Sequence, residues 1–449
     1  MSVIPPEAAD AQRAPTNPAP GSADSADKAP SWGKTDTIWT LSLFGTAIGA
    51  GVMFLPINAG IGGIIPLIIM TIIAFPMTFW AHRAMTRLVL SGSDPKSHLT
   101  DVMEEHFGAN AGIVMTVLYF VAVYPLVLVY AVTLTNTLES FLIHQLHVEP
   151  WPRWILATLL IGGLIFVVKM GQEIVVKVMS ALAFPFIAVL IFLALYLIPR
   201  WNTAFFSTFD LDVAREASGN GLATTLMLLV PVMVFSFNHS PIISSFASER
   251  RQEYGDKWAD KKTGQVLAAA EGLMVIVVMF FVFSCALSLS PENLAEAKEQ
   301  NITILSYLAN HFDAPFLQWV APIVALVAIC KSFLGHYLGA AESVEGLVVT
   351  GNHVAGNTKF THNRALETGS LIFILVTCIL VAWADPSILG MIEALCGPAI
   401  AVLLFLIPMW AIHKVDALKR FRGKPSNWFV TFIGLVAVAT IFFSIFHSL

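Results

Sequence analysis

Residues 41–56 read LSLFGTAIGAGVMFLP, and the fold turns on how this stretch is understood. It is apolar enough for the interior of a bilayer, yet Gly45, Gly49 and Gly51 interrupt it within seven residues. Each glycine costs a helix about 1 kcal/mol relative to alanine. In exchange the backbone is free to unwind and to approach a ligand closely. Unwound backbone at membrane depth survives only where it lines a cavity or is buried in protein. Gly45 and Gly49 also have the small-xxx-small spacing of tightly packed helices. Alone, the stretch leaves both readings open.

A second interruption favours the cavity. Residues 235–246 read FSFNHSPIISSF, with Ser236, Asn238, His239 and Ser240 gathered just before Pro241. Proline removes one helical hydrogen bond and kinks the chain, which frees carbonyls a turn earlier. Polar side chains at membrane depth are costly without partners. A hydrogen-bonded structural kink would account for them, but their place in the chain, opposite the glycine break, makes a binding site the better reading.

The rest of the chain supplies the setting. Of 449 residues, 56% are hydrophobic and 12% charged, where a soluble domain carries about 25% charge. Such a chain cannot hide its apolar surface from water. A cytosolic enzyme, a nucleic-acid binder and a secreted disulfide scaffold are thereby excluded. Cys285, Cys330, Cys378 and Cys396 stand singly in apolar runs, as small packing residues do, so neither a disulfide nor a metal site is expected. Residues 1–30, rich in Ala, Pro, Ser and Asp, read as a disordered tail. They lack the pattern of a signal peptide.

From residue 36 onward, eleven apolar runs are long enough to cross a bilayer: 36–58, 61–81, 111–141, 153–169, 174–198, 221–248, 264–289, 315–349, 369–384, 387–411 and 426–447. None alternates as a membrane β-strand does, so the expected class is an all-α integral membrane protein with eleven spans. With the N-terminus inside, twenty of the 25 Lys and Arg residues fall on the cytoplasmic side. Only Arg153, Arg200, Arg215 and Lys298 fall in outer loops, and Lys331 alone is left within a span. This places the N-terminus in the cytoplasm and the C-terminus in the periplasm. Span lengths suggest a duplication, because a long third and a short fourth run recur as the eighth and ninth. Residues 36–198 and 221–411 then form two five-helix repeats, followed by an extra helix at 426–447. Five is odd, so the repeats lie in opposite orientations. Inverted repeats that each open on a broken helix mark one class of secondary transporter, and their broken ends offer free N–H groups to a carboxylate and free carbonyls to an ammonium group or a cation. Such a site suits a zwitterion.

Together with AKEQNITILSYLANHF (297–312) and CKSFLGHYLGA (330–340), these stretches resemble the hydroxy and aromatic amino acid permease family, and its serine-transporting branch most of all. The likeness runs from about residue 31 to the C-terminus, so 31–449 reads as one transporter domain. It implies a leucine-transporter-like fold of ten core helices plus one, in a bacterial inner membrane. The activity implied is proton-coupled uptake of L-serine. L-Threonine transport and amino acid exchange remain alternatives, and sodium coupling is a further one. Membrane lipid, the amino acid and protons are the expected partners. No cofactor, nucleic acid or obligate protein partner is expected.

The expected substrate site comprises Thr46, Ala47, Gly49, Ala50 and Gly51 from the first break and Ser236, Phe237, Asn238, His239 and Ser240 from the second. Tyr124 and Tyr130 flank Pro125 and can close over the substrate or simply pack. The expected ion-coupling set is Lys331, Ser332, His336 and Glu393. Lys331 lies too deep to snorkel and should face the interior, where its ammonium would repel sodium from the hydroxyls of Ser332 and Thr46. His336 and His239 are reserve proton carriers. Glu393 reads equally as a gate or as an interfacial carboxylate. Glu271, Glu342 and Glu345 read as cytoplasmic helix ends, and His144 and His147 as surface. The polar residues cluster at one depth, unlike a channel lining, and no HExxH or P-loop signature suggests an intramembrane enzyme.

Overall fold

The computed structural model describes residues 30–169 and 172–447, and the tail expected to be disordered lies outside them. With no water to satisfy it, backbone in hydrocarbon must bond within its own segment, so apolar runs become helices. In chain order these are α1 (Lys34–Ala47), α2 (Ala50–Ile61), α3 (Ile64–Leu90), α4 (Leu99–Phe107), α5 (Ala109–His144) and α6 (Arg153–Lys169). Next come α7 (Gln172–Leu197), α8 (Leu211–Ser218), α9 (Leu222–Ser236), α10 (Ile243–Ser288), α11 (Pro291–Glu299) and α12 (Ile304–His311). The series closes with α13 (Pro315–Val354), α14 (Arg364–Ala384), α15 (Ile388–Met391), α16 (Gly397–Ala401), α17 (Ile407–Lys414) and α18 (Pro425–His447).

Among the described residues, seven helical stretches are long and apolar enough to span a membrane, and the bent pair α1–α2 makes an eighth. One stretch, Leu222–Ser288, is 67 residues long and contains both the second break and a sharp turn at Gly255. Gly255 takes φ +67°, which glycine alone adopts without strain. Several of the expected boundaries move, two of them with consequences for the site. The run ending at 81 continues to Leu90, and the helix expected from 264 follows directly from the Gly255 turn.

The centre of the molecule is α5 packed along α13, with α3 along α10 beside it. α2 is buried nearly throughout, against α9 and α11. α14 is peripheral and turns Ile372, Val376, Leu380 and Trp383 outward, the face that lipid would cover. Between α15 and α17 the chain widens into two π-turns, Ile392–Cys396 and Val402–Leu406, each close before a proline that cannot donate (Pro398, Pro408).

Candidate functional site

The first break is two residues long. Ile48 is extended, Gly49 is extended (φ −154°), and α1 and α2 meet at a bend of 60°. Glycine is needed here for space and not for a left-handed turn. A Cβ on Gly49 would lie 2.5 Å from Ser332 Oγ and 3.4 Å from the Tyr130 hydroxyl. One on Gly51 would lie 2.8 Å from Cα of Ser236. The two breaks therefore touch, across a contact only glycine permits.

In the second break, Phe237, Asn238 and His239 leave the helix before a short 3₁₀ turn, Ser240–Ile242, leads into α10. Ser236 Oγ donates to the Val232 carbonyl at 2.7 Å, and the Ser240 N–H donates to Asn238 Oδ1 at 3.1 Å. These polar groups satisfy their own backbone, which is how they tolerate burial.

Beside the breaks lies a cavity of about 340 Å³, walled by Ser42, Gly45 and Thr46 of α1, Pro241 and Ile242, and Lys331, Ser332 and His336 of α13. Lys331 is buried, and its Nζ donates to the Gly45 carbonyl at 2.5 Å. That carbonyl precedes the break by a turn. His336 Nδ1 lies 2.9 Å from the Ser332 carbonyl, and its ring neighbours Tyr130 at 5.0 Å.

The expected residues thus divide. Thr46, Lys331, Ser332 and His336 line the cavity. Ala47, Gly49, Ala50, Gly51, Ser236, Phe237, Asn238, His239 and Ser240 are buried behind it and do not form its wall. Tyr124 turns away: its hydroxyl donates to Thr377 Oγ1 at 2.5 Å, and its ring stacks on Phe120 and Phe373. Tyr130 is the tyrosine beside the first break. Glu393 accepts from Asn58 Nδ2 and borders a separate small cavity with Asn220 and Lys298, apart from Lys331. Glu345 pairs with His362 of the following loop at 3.0 Å.

Glu271 overturns its expected reading as a carboxylate at a cytoplasmic helix end. It is wholly buried in α10 and meets His82 of α3 and His239 of the second break. Oε1 of Glu271 lies 3.1 Å from His82 Nδ1 and 3.2 Å from His239 Nε2, and Thr78 Oγ1 donates to Oε2. The imidazoles stack face to face with centroids 3.5 Å apart. Sequence reasoning had marked His239 alone. His82 lay one residue beyond the expected end of its helix. Among the described residues, this is the one group of three potential metal ligands, their donor atoms within 4.8 Å of one another. His82, however, has both nitrogens engaged: Nδ1 donates to the Thr78 carbonyl at 2.9 Å, and Nε2 accepts from the His239 N–H at 3.3 Å. The donor set therefore suits a proton better than a metal ion.

A second buried assembly pins α1 to α10. Asp36 takes Lys262 Nζ at 2.7 Å, the Gly33 N–H at 2.9 Å, the Tyr254 hydroxyl at 3.0 Å and Arg250 at 3.4 Å.

Residues 35–444 match the tryptophan/tyrosine permease family. The chain is 58% identical to the serine transporter SdaC of Escherichia coli K12, over 94% of this chain and 97% of that protein. It is 47% identical to the threonine/serine transporter TdcC of Yersinia enterocolitica, over 92% and 96%. Two solved structures share the fold at a TM-score of 0.51. One is a Na+-coupled sialic acid symporter in its substrate-bound outward-open state (13% identity; 90% of this chain, 88% of that one). The other is MhsT in complex with L-phenylalanine (15% identity; 93% and 99%).

Proposed function

The chain belongs to the tryptophan/tyrosine permease family, and from that premise we propose that it imports a small hydroxy amino acid, L-serine before L-threonine, by proton symport. It is a multi-pass membrane transporter and not an enzyme. The serine assignment draws on the relatives, whose names carry serine or threonine and serine. It also draws on the cavity, which at about 340 Å³ lies at the small end of the roughly 300–1,000 Å³ usual for ligand sites. The N–H groups at the start of α2, just behind the cavity wall, and the carbonyls at the ends of α1 and α9 are of the kind that bind a carboxylate and an ammonium group. Thr46 and Ser332 supply hydroxyls for a polar side group.

One observation carries the choice of protons over sodium. Lys331 Nζ sits on the Gly45 carbonyl, in a cavity that Thr46 and Ser332 also line. A sodium ion wants such an oxygen set, and an ammonium already in it repels a second cation. His336 stands beside it, and Glu393, farther off, belongs to an outer gate.

The proposed architecture is eleven spans in residues 31–449, with repeats at 36–198 and 221–411 and an extra helix at 426–447. In its support, α5 and α13 are the longest single spans and pack together, α6 and α14 are shorter and pack together, and both repeats open on a break. The asymmetry of Lys and Arg supports a cytoplasmic N-terminus and a periplasmic C-terminus in a bacterial inner membrane. In that orientation Ser42 and Thr46 belong to the cytoplasmic half of the first span, and the cavity opens inward.

The test is uptake of labelled L-serine into proteoliposomes with an empty lumen, under separate proton and sodium gradients. A pH gradient alone should drive accumulation, with unlabelled threonine competing and tryptophan not. Accumulation on sodium alone, uptake only against internal serine, or competition by tryptophan equal to that of serine would overturn the corresponding part.

A further inference from the structure

We propose that His82, His239 and Glu271 hold the coupled proton, at the second break and away from the cavity wall. This rests on the proton-symport reading and gives that proton an address.

The cluster is one hydrogen short. His239 Nδ1 faces the Phe237 carbonyl at 3.3 Å, and its Nε2 faces Glu271 Oε1 at 3.2 Å. Neutral imidazole carries one N–H and one bare lone pair. With the hydrogen on Nδ1, a bare Nε2 confronts a carboxylate oxygen. With it on Nε2, a bare Nδ1 confronts a carbonyl. His82 cannot relieve the conflict, because the Thr78 carbonyl and the His239 N–H occupy its two nitrogens. Thr78 is committed to the other carboxylate oxygen. In keeping with this, His239 Nε2 and Glu271 Oε1 are both fully buried without a hydrogen-bond partner. An unpaired buried acceptor is costly. One extra proton, carried on Glu271 Oε1, lets the carboxyl donate to the bare Nε2 and leaves the cluster with no net charge. No electron moves; the proton is bound and released as such.

Coupling follows from where His239 sits. Its backbone lies inside the break, two residues before Pro241 and Ile242 of the cavity wall, and its N–H is tethered to His82. Without the proton, one lone pair of His239 faces another, at 3.2 Å across Nε2 or at 3.3 Å across Nδ1. The relief is to move the non-helical segment, and the cavity wall moves with it.

Other charges on the neighbouring helices are engaged elsewhere. On α3, Arg83 and Arg87 lie 4.0 Å and 2.8 Å from Asp260 of α10. Lys262 and Arg250 of α10 bind Asp36 of α1. Lys34, at the first residue of α1, stands two residues before Asp36 and far along the helix from the break; α2, α9 and the 3₁₀ turn bring no Asp, Glu, His, Lys or Arg. Among the described residues, His82, His239 and Glu271 are the one group of three His, Cys, Asp or Glu side chains that meet in this way.

The experiment compares wild type with Glu271→Gln in proteoliposomes. Glutamine keeps the shape and can donate to His239 Nε2 permanently, so it mimics the protonated site. A pH gradient of one unit supports roughly tenfold accumulation per proton. Wild type should approach this. E271Q should equilibrate serine to the outside concentration, while counterflow persists and no longer varies between about pH 5 and 8. Tenfold accumulation by E271Q, or counterflow with the wild-type pH profile, would overturn the proposal. If E271Q does not assemble, wild type in detergent decides: serine added to weakly buffered protein should take up protons at the alkaline end of that range, and no uptake at any pH overturns it. A wild type that accumulates serine only on sodium overturns the symport reading, and the address with it.

Discussion

Asp36, on α1 against α10, and Glu271, on α10 itself, are both carboxylates without exposed surface, yet their surroundings are opposite in kind. Both oxygens of Asp36 are met by donors, from Lys262, Arg250, Tyr254 and the Gly33 N–H. No oxygen is left without a donor, and the start of α1 is fastened to α10. Glu271 has one oxygen satisfied by Thr78 and the other set against a ring nitrogen that finds no other partner. A carboxylate ringed by permanent cations serves as a lock. One faced by imidazoles is a place where a proton comes and goes. Low dielectric makes both arrangements matter, since a buried polar network is worth most when complete and costs most when one hydrogen short.

The largest expected effect breaks the lock. Asp36→Ala leaves Arg250 and Lys262 buried with only part of their compensation, and removing one partner of a buried pair costs about 3–5 kcal/mol. Thermal melting in detergent should fall well below that of E271Q, whose amide keeps its neighbours bonded. Equal melting temperatures would show that the two carboxylates do not differ in this way.

Next in size is the contact between the breaks. A Cβ on Gly49 would already collide with Ser332, and overpacking of this kind costs about 1–3 kcal/mol or more. Spent on reorientation between states, that is roughly a ten- to hundredfold loss of rate. Gly49→Leu should reach the membrane at normal levels and fail in uptake. Transport at the wild-type rate would refute the placing of the site at the first break.

Lys331→Met sharpens the comparison from the first break's side. The variant keeps the stem and loses the ammonium on the Gly45 carbonyl. Accumulation driven by a pH gradient should drop to equilibration, and sodium should begin to stimulate uptake once no cation opposes it. If K331M still concentrates serine on protons alone, coupling resides in the Glu271 cluster without help from the lysine.

What the sequence disclosed follows the same division. The breaks were legible because glycine and proline act locally, and 41–56 and 235–246 each carry their reason within a few residues. Lys331 was legible because one cation had no loop to occupy. The cluster was not, since His82 and His239 are 157 residues apart and Thr78 and Glu271 are 193 apart. Each is a lone polar residue on its own helix. Boundaries hid them further: ending a span at 81 left His82 outside it, and starting one at 264 brought Glu271 near an end. The continuous helix after Gly255, and α3 running to Leu90, move both inside. Tyr124 was misplaced because periodicity says which residues are apolar on a helix, and not that its hydroxyl would find Thr377 on α14.

The smallest effect comes from the exposed counterpart of the cluster. Between α13 and α14, His362 stands with Nδ1 3.0 Å from Glu345 and Nε2 2.8 Å from Glu367, in open solvent. Here both nitrogens face carboxylates, but water and salt screen them. The hydrogen bond to Glu367 comes first in raising the His362 imidazole above its ordinary 6.5, with Glu345 adding to it. A histidine whose folded value is raised contributes stability fully below its unfolded value and loses it as pH rises through the folded one. His362→Gln should therefore lower the melting temperature slightly under mildly acidic conditions and leave it unchanged in alkali. The difference should fade as salt is added. A wild-type His362 resonance that titrates at or below the ordinary histidine value, or a stability difference that persists at high salt, would mean that exposure does not separate this pair from the buried one.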